Sequence, residues 1–134
     1  QLLLNEIKKF KPDSIFTHCV DDLHHDHWST SEAVMIAARP TVYNKSLKNI
    51  FYFEIPSATE KLIKKDKVFN PNFFVDISKN INLKVKLIKK YYKKELKKYP
   101  SALSSKGIVN LSKYRGSNIL IKNAEAFEAI KIII

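Results

Sequence analysis

Leu2-Leu3-Leu4-Asn5-Glu6-Ile7-Lys8-Lys9-Phe10, then Lys11-Pro12-Asp13, then Ser14-Ile15-Phe16-Thr17: this opening stretch decides the fold class. Leu3, Ile7 and Phe10 fall at helical spacing with Leu4 beside them, so the first segment reads as an amphipathic helix. Pro12 cannot continue a helix, and it breaks the pattern. Ser14 to Thr17 is then short, apolar and bounded by turn residues, the pattern of a strand. A helix, a short break and a strand make half of an α/β crossover. No Ser, Thr, Asp or Asn precedes Leu2 to cap the helix, which therefore reads as entered in its middle. The expectation is that residues upstream of Gln1 are missing.

Further along, Ser29 to Arg39 reads as a helix with a face of Ala33, Val34, Ile36 and Ala37. Ser29-Thr30-Ser31-Glu32 fits a capping box, and Asp26 is the alternative cap one turn earlier. Pro40 ends that helix. Asn49 to Ile55 is dense in aromatic and β-branched residues and reads as a strand, as does Phe73 to Ile77. Ser78 to Tyr99 has one apolar stripe, Ile81, Val85, Ile88, Tyr92, Leu96 and Tyr99, with lysines covering the rest, and reads as a long helix stopped by Pro100. Ser101 to Tyr114 reads as a further helix weakened by Gly107, and Ala124 to Ile134 as a last strand.

Composition excludes several classes. The chain has 134 residues and 45% apolar content, which is ordinary for one globular domain. The single cysteine, Cys19, leaves no internal disulfide and suits a reducing, cytoplasmic setting. Beside the imidazoles it reads as a small buried residue rather than a ligand. No apolar run approaches the ~20 residues of a membrane helix. Two glycines, Gly107 and Gly116, are too few for a Gly-rich phosphate loop. The net charge is +11, and Lys79 to Lys98 supplies most of it, with nine lysines against Glu95 alone. A second basic group, Lys64, Lys65 and Lys67, surrounds Asp66. Nucleic-acid readers favour arginine, and the chain has only Arg39 and Arg115. The lysine run therefore reads as the solvated face of a helix, and no nucleic-acid partner is expected.

The chemistry concentrates after the first strand, where ligands bind in open α/β sheets. Asp21-Asp22-Leu23-His24-His25-Asp26-His27 gathers three histidines and three carboxylates, with His18 just upstream. Imidazole is the commonest zinc ligand, and an aspartate either binds directly or orients a ligand from behind. His24 and His27 are three apart, so one helical turn puts them on the same side, an arrangement in which one can bind metal while the other faces substrate. The same loop also fits a solvated polar turn, and His18 alone fits a structural role at a strand end.

Read in order, these residues resemble the LmbE-like (PIG-L) zinc-dependent N-deacetylase family. Lys11-Pro12-Asp13-Ser14-Ile15-Phe16-Thr17-His18 is similar to that family's strand entry. Asp22-Leu23-His24-His25-Asp26-His27 is similar to its second metal motif, His-Pro-Asp-His, with His25 in place of proline. Glu32-Ala33, Ala37-Ala38-Arg39-Pro40, Phe53-Glu54-Ile55-Pro56-Ser57-Ala58-Thr59-Glu60, Phe69 to Ser78, Tyr114-Arg115-Gly116 and Ala124-Glu125-Ala126-Phe127-Glu128 continue the likeness along the chain.

The resemblance implies an α/β fold, a Rossmann-like three-layer sandwich with a mostly parallel sheet, here lacking its N-terminal strands. It implies that residues 1–134 are the C-terminal two-thirds of a single deacetylase domain, and that the activity is removal of an acetyl group from an N-acetylated amino sugar or related amide. Zinc is the implied cofactor. His27 takes the position of the third zinc ligand, and His24 that of the histidine that stabilises the oxyanion. Asp26 lies between them to orient an imidazole, and Arg115 is the implied substrate-binding residue. The family's first motif, His-Pro-Asp-Asp, supplies two ligands and the base, and these 134 residues do not contain it. The fragment alone is therefore expected to be inactive, and the whole protein to form a homo-oligomer, trimer or hexamer. Two rival readings stay open: a basic binding module for nucleic acid or acidic surfaces, and a family member that kept the fold and lost catalysis.

Overall fold

The computed structural model describes residues 2–20, 22–40, 44–59 and 69–134. Asp21, Glu60 and the Lys64–Lys67 basic group lie outside the described residues. The elements are α1 (Leu2–Phe10), β1 (Ser14–His18), α2 (His25–Ala37), β2 (Asn49–Phe53), β3 (Phe73–Asp76), α3 (Ile81–Tyr91), α4 (Ser105–Ser117) and β4 (Ala124–Lys131). The four strands form one sheet in the order β1-β2-β4-β3, giving the α/β class expected from the opening stretch. The chain divides into two compact units, residues 1–72 with 127–134, and residues 73–126.

In the first unit β1 and β2 run parallel, from Ser14 opposite Asn49 to His18 opposite Phe53. β2 then pairs antiparallel with β4, Phe53 opposite Phe127, with a register shift between Ile50 and Phe51. The start of the parallel pair is fixed by the Asp13 carbonyl, which accepts from the Lys48 and Asn49 amides at 2.8 and 2.9 Å. One core cluster joins Ala38, Leu47 and Ile50 to Ile15 and Met35, and a second joins Cys19, Tyr52 and Phe69 to Val20 and Met35. Burial of such side chains is the main favourable term holding helix to sheet. Cys19 is buried, as a small apolar residue would be. Phe16 stacks on Phe51 at 4.9 Å and meets Phe127 edge-on at 5.2 Å, so three strands share one aromatic cluster.

Helix α2 starts at His25, four residues before the Ser29 capping box would place it. Ser29 lies inside the helix, its hydroxyl 3.4 Å from Nδ1 of His25. What starts the helix earlier is the Asp22 carboxylate, which accepts from the His24 amide at 3.0 Å. The His24 carbonyl then accepts from the His27 and Trp28 amides. At the other end Asn44 donates from Nδ2 to the Ala37 and Arg39 carbonyls at 2.8 and 2.9 Å, supplying partners that helix C-termini otherwise lack.

In the second unit α3 spans Ile81–Tyr91, half of the long helix that the stripe predicts. Its start is delayed because Asp76 accepts from the Ser78 amide at 2.8 Å, closing a local turn. Past Tyr91 the helix would stack Lys89 on Lys93, Lys90 on Lys94 and Lys94 on Lys98, and like charges four apart oppose it. Tyr92 and Tyr99 are exposed there, so little packing offsets that repulsion. Asn123 organises this unit. Its side-chain oxygen accepts from the buried Ser112 hydroxyl at 2.9 Å, and its carbonyl accepts from the Ile77 amide at 3.0 Å.

Helix α4 begins after Ser104, whose hydroxyl oxygen accepts from the Gly107 amide at 2.9 Å, a standard N-cap bond. Gly107 is not a weak point. A Cβ there would sit 2.4 Å from the Ala102 carbonyl oxygen and 2.6 Å from that of Ser101. Alanine would gain up to about 1 kcal/mol in helix propensity. Because the clash is with backbone, the expected net result of Gly107→Ala is destabilisation by about 1–3 kcal/mol. A denaturant melt of the two proteins checks this, and an unchanged or raised midpoint would contradict the close approach.

Candidate functional site

The site forms at the carboxyl ends of β1 and β2, where His18 closes one strand and Phe53 the other. From β1 the chain turns through Cys19, whose carbonyl accepts from the Asp22 amide at 3.2 Å, and brings the Asp22 side chain inward. That carboxylate is wholly inaccessible to solvent. A buried carboxylate needs partners for both oxygens. Oδ1 accepts from the His24 amide and lies 3.0 Å from Nδ1 of His27, and Oδ2 accepts from the Thr59 hydroxyl at 3.0 Å. Thr59 in turn accepts from the Ile55 amide at 2.8 Å, just past the end of β2. One side chain thus ties together the loop after β1, the first turn of α2 and the loop after β2. The contact with His27 is short, though the ring N–H does not aim directly at the oxygen.

Two other imidazoles meet the His27 ring. The His18 ring stacks on it at 4.3 Å, nearly parallel, and the His24 ring meets it edge-on at 5.0 Å. Phe53 packs on His18 at 4.8 Å. Burial lowers the pKa of His18, the adjacent His27 lowers it further, and the charges of Asp22 and Asp26 oppose the shift. His25 points to a different neighbourhood, against Trp28 at 4.6 Å.

The structure therefore brings His24 and His27 together, as their spacing predicts. The carboxylate it brings to His27 is Asp22, however, and Asp26 is exposed in the first turn of α2, its carbonyl accepting from the Thr30 hydroxyl at 2.7 Å. Asp26 favours the positive helix start but touches neither ring in the way Asp22 touches His27. A sequence signal for Asp22 existed: an aspartate just before a helix is the residue type that captures free amides at its start. Arg115 lies in α4, in the second unit, with its guanidinium 5.3 Å from the Tyr114 ring.

The donor chemistry suits one limb of a metal site. A metal-binding imidazole commonly turns its other nitrogen to a carboxylate, which fixes the tautomer and raises ligand basicity. His27 faces Asp22 at 3.0 Å through Nδ1, without a formed hydrogen bond, so Nε2 is the nitrogen that could ligate a metal. Among the described residues no group of three His, Cys, Asp or Glu is placed to hold a metal ion by itself.

No protein-family profile matches the sequence, and no curated protein matches it significantly. Solved structures do share the fold. The chain is similar to the conserved protein TT1542 from Thermus thermophilus, with a TM-score of 0.72, 17% identity, and coverage of 99% of this chain and 58% of that one. It is similar to GalB, the 4-carboxy-2-hydroxymuconate hydratase from Pseudomonas putida, with a TM-score of 0.70, 17% identity, and coverage of 99% and 58%. It is also similar to the N,N'-diacetylchitobiose deacetylase from Pyrococcus horikoshii, solved with its inhibitor MPG, with a TM-score of 0.66, 18% identity, and coverage of 96% and 49%. The chain thus spans about half to three-fifths of these neighbours' lengths, and the likeness is one of fold. No helix among the described residues is long and apolar enough to cross a membrane.

The packing of His18 has a measurable consequence. In the metal-free protein its ring should titrate below the ordinary imidazole value of 6.5 in an NMR pH series. Just below pH 6.5 the folded state then binds fewer protons than the unfolded chain, so this group makes stability fall as the pH falls through that window. A His18 pKa at or above 6.5 would mean that the ring is not buried against His27.

Proposed function

We propose that this chain is part of a metal-dependent deacetylase, a hydrolase that removes an acetyl group from an N-acetylated amino sugar or related amide. The observation that carries the reading is the Asp22–His27 pair at the carboxyl ends of two parallel strands, in a fold shared with a deacetylase. Zinc is the metal that an imidazole and carboxylate donor set favours where hydrolysis is the chemistry. When bound, such a metal acidifies a water molecule and polarises the amide carbonyl.

The chain's own residues have separable tasks. His27 would hold the metal through Nε2, and Asp22 keeps that nitrogen free of its proton by facing Nδ1. His24, one turn back on the same side, donates a proton or hydrogen bond to the oxygen that becomes negative as water attacks. His18, itself packed on Phe53, stacks on His27 and limits how far its ring can swing. Arg115 is proposed to contact the substrate. Two more ligands and the base that takes the water's proton belong, by the resemblance, to a His-Pro-Asp-Asp motif outside these residues. The hydratase among the fold neighbours marks a second reading, in which the same water adds to a carbon–carbon double bond.

The two histidines separate in one experiment on the full-length protein. His27→Ala should lose stoichiometric zinc and activity together. His24→Ala should keep its zinc and lose about 10²- to 10³-fold in kcat, the usual cost of a missing oxyanion donor. KM should change less, since that interaction is made mainly in the transition state. Zinc titration with an acetate-release assay checks both. Zinc near wild type in His27→Ala, or zinc lost as fully in His24→Ala, would overturn the roles, and an active zinc protein that releases no acetate from any N-acetylated sugar would favour the hydratase reading.

A further inference from the structure

The second unit carries a surface that the site does not use. On α3 the side chains of Leu83, Leu87 and Tyr91 are 54%, 45% and 66% exposed. At about 100° per residue they fall within an arc of about 80°. The opposite side is the packed one, with Ile81 buried and Val85 and Ile88 half-buried. Lys86 and Lys90 border the exposed arc on one side and Lys84 on the other, the last paired with Glu125. Beyond the helix Lys93, Lys94, Lys97 and Lys98 are all exposed, and so are Tyr92 and Tyr99. A groove of about 450 Å³, with Ile77, Leu83, Leu87 and Ile88 in its wall, extends the apolar strip.

We propose that this face docks on the anionic surface of a lipid bilayer. The pattern is that of a helix lying in the interface: aliphatic side chains facing outward, tyrosine at the headgroup level, and lysines along one flank and beyond the helix end to meet anionic headgroups. Charge decides against the simplest rival, a second copy of the chain, because the stretch from Lys79 to Lys98 carries nine lysines against one glutamate and would face itself. Nucleic acid fits less well. Exposed leucines have nothing to stack on a base, and the stretch holds no arginine for bidentate contacts. A bilayer uses both features at once, the lysines for attraction and the leucines and tyrosine for insertion.

The test is sedimentation of the full-length protein with vesicles of phosphatidylcholine alone or mixed with phosphatidylserine. Binding is expected only to the mixed vesicles and should fall with added salt. Leu83→Ser/Leu87→Ser and Lys86→Glu/Lys90→Glu should each weaken it about tenfold or more. All four positions are exposed, so the fold tolerates both changes. No binding to the mixed vesicles overturns the proposal. So does a serine variant that binds as well as wild type, which would reduce the face to a plain polycation. Tighter binding to a single-stranded oligonucleotide than to the vesicles, with the serine variant unaffected, would assign the face to nucleic acid.

Discussion

A single buried carboxylate organises the site end of the first unit. Asp22 has no access to solvent, and its two oxygens meet the His24 amide, the His27 ring and the Thr59 hydroxyl. Those groups come from the loop after β1, the first turn of α2 and the loop after β2. Burying a charge is costly, and the cost is offset only while all of these partners are in place. The constraint works in both directions. The partners fix Asp22, and Asp22 fixes where α2 starts and which way His27 turns. The parallel pairing of β1 with β2 is what sets the two loops side by side.

Much of this was legible in the sequence, for physical reasons that differ between elements. The α1-break-β1 pattern is strongly periodic and sharply punctuated by Pro12, so the α/β class followed from it directly. β1, β2 and β3 appear where aromatic and β-branched residues cluster, and β4 falls inside the stretch from Ala124 to Ile134, each within a few residues of the expected ends. The capping-box pattern of Ser29 to Glu32 places the start of α2 too late, because the chain enters the helix at His24, whose amide is held by Asp22 outside it. The length of α3 was overestimated because a stripe counts apolar residues without asking what they pack on. Tyr92 and Tyr99 keep the spacing but stay exposed. Gly107 looked like a weakness and is a close contact, since that depends on the loop at residues 101 and 102.

At the site, spacing places His24 and His27 side by side, while the carboxylate beside His27 is one that spacing does not single out. His24 and His27 are one helical turn apart, a local relation that sequence carries. The partner of His27 depends on how the turn after β1 folds back, so a reading by adjacency names Asp26, and the carboxylate next to the ring is Asp22. The lysine-rich stretch is solvated, as its composition implies, but its apolar side is only partly covered, and leucines that pattern alone assigns to either face are in the open. The metal chemistry proposed here therefore rests on His27 being presented by a buried carboxylate, rather than on the number of histidines in the loop.

That dependence is open to direct measurement. Zinc affinity of the full-length protein, by competition with a chromophoric chelator, should fall about 10- to 100-fold in Asp22→Asn, the usual effect of removing a carboxylate behind a ligating imidazole. The same change at the exposed Asp26 should leave the affinity close to wild type. Equal affinities in wild type and Asp22→Asn, with Asp26→Asn the weaker binder, would contradict the assignment of Asp22 as the residue that positions His27.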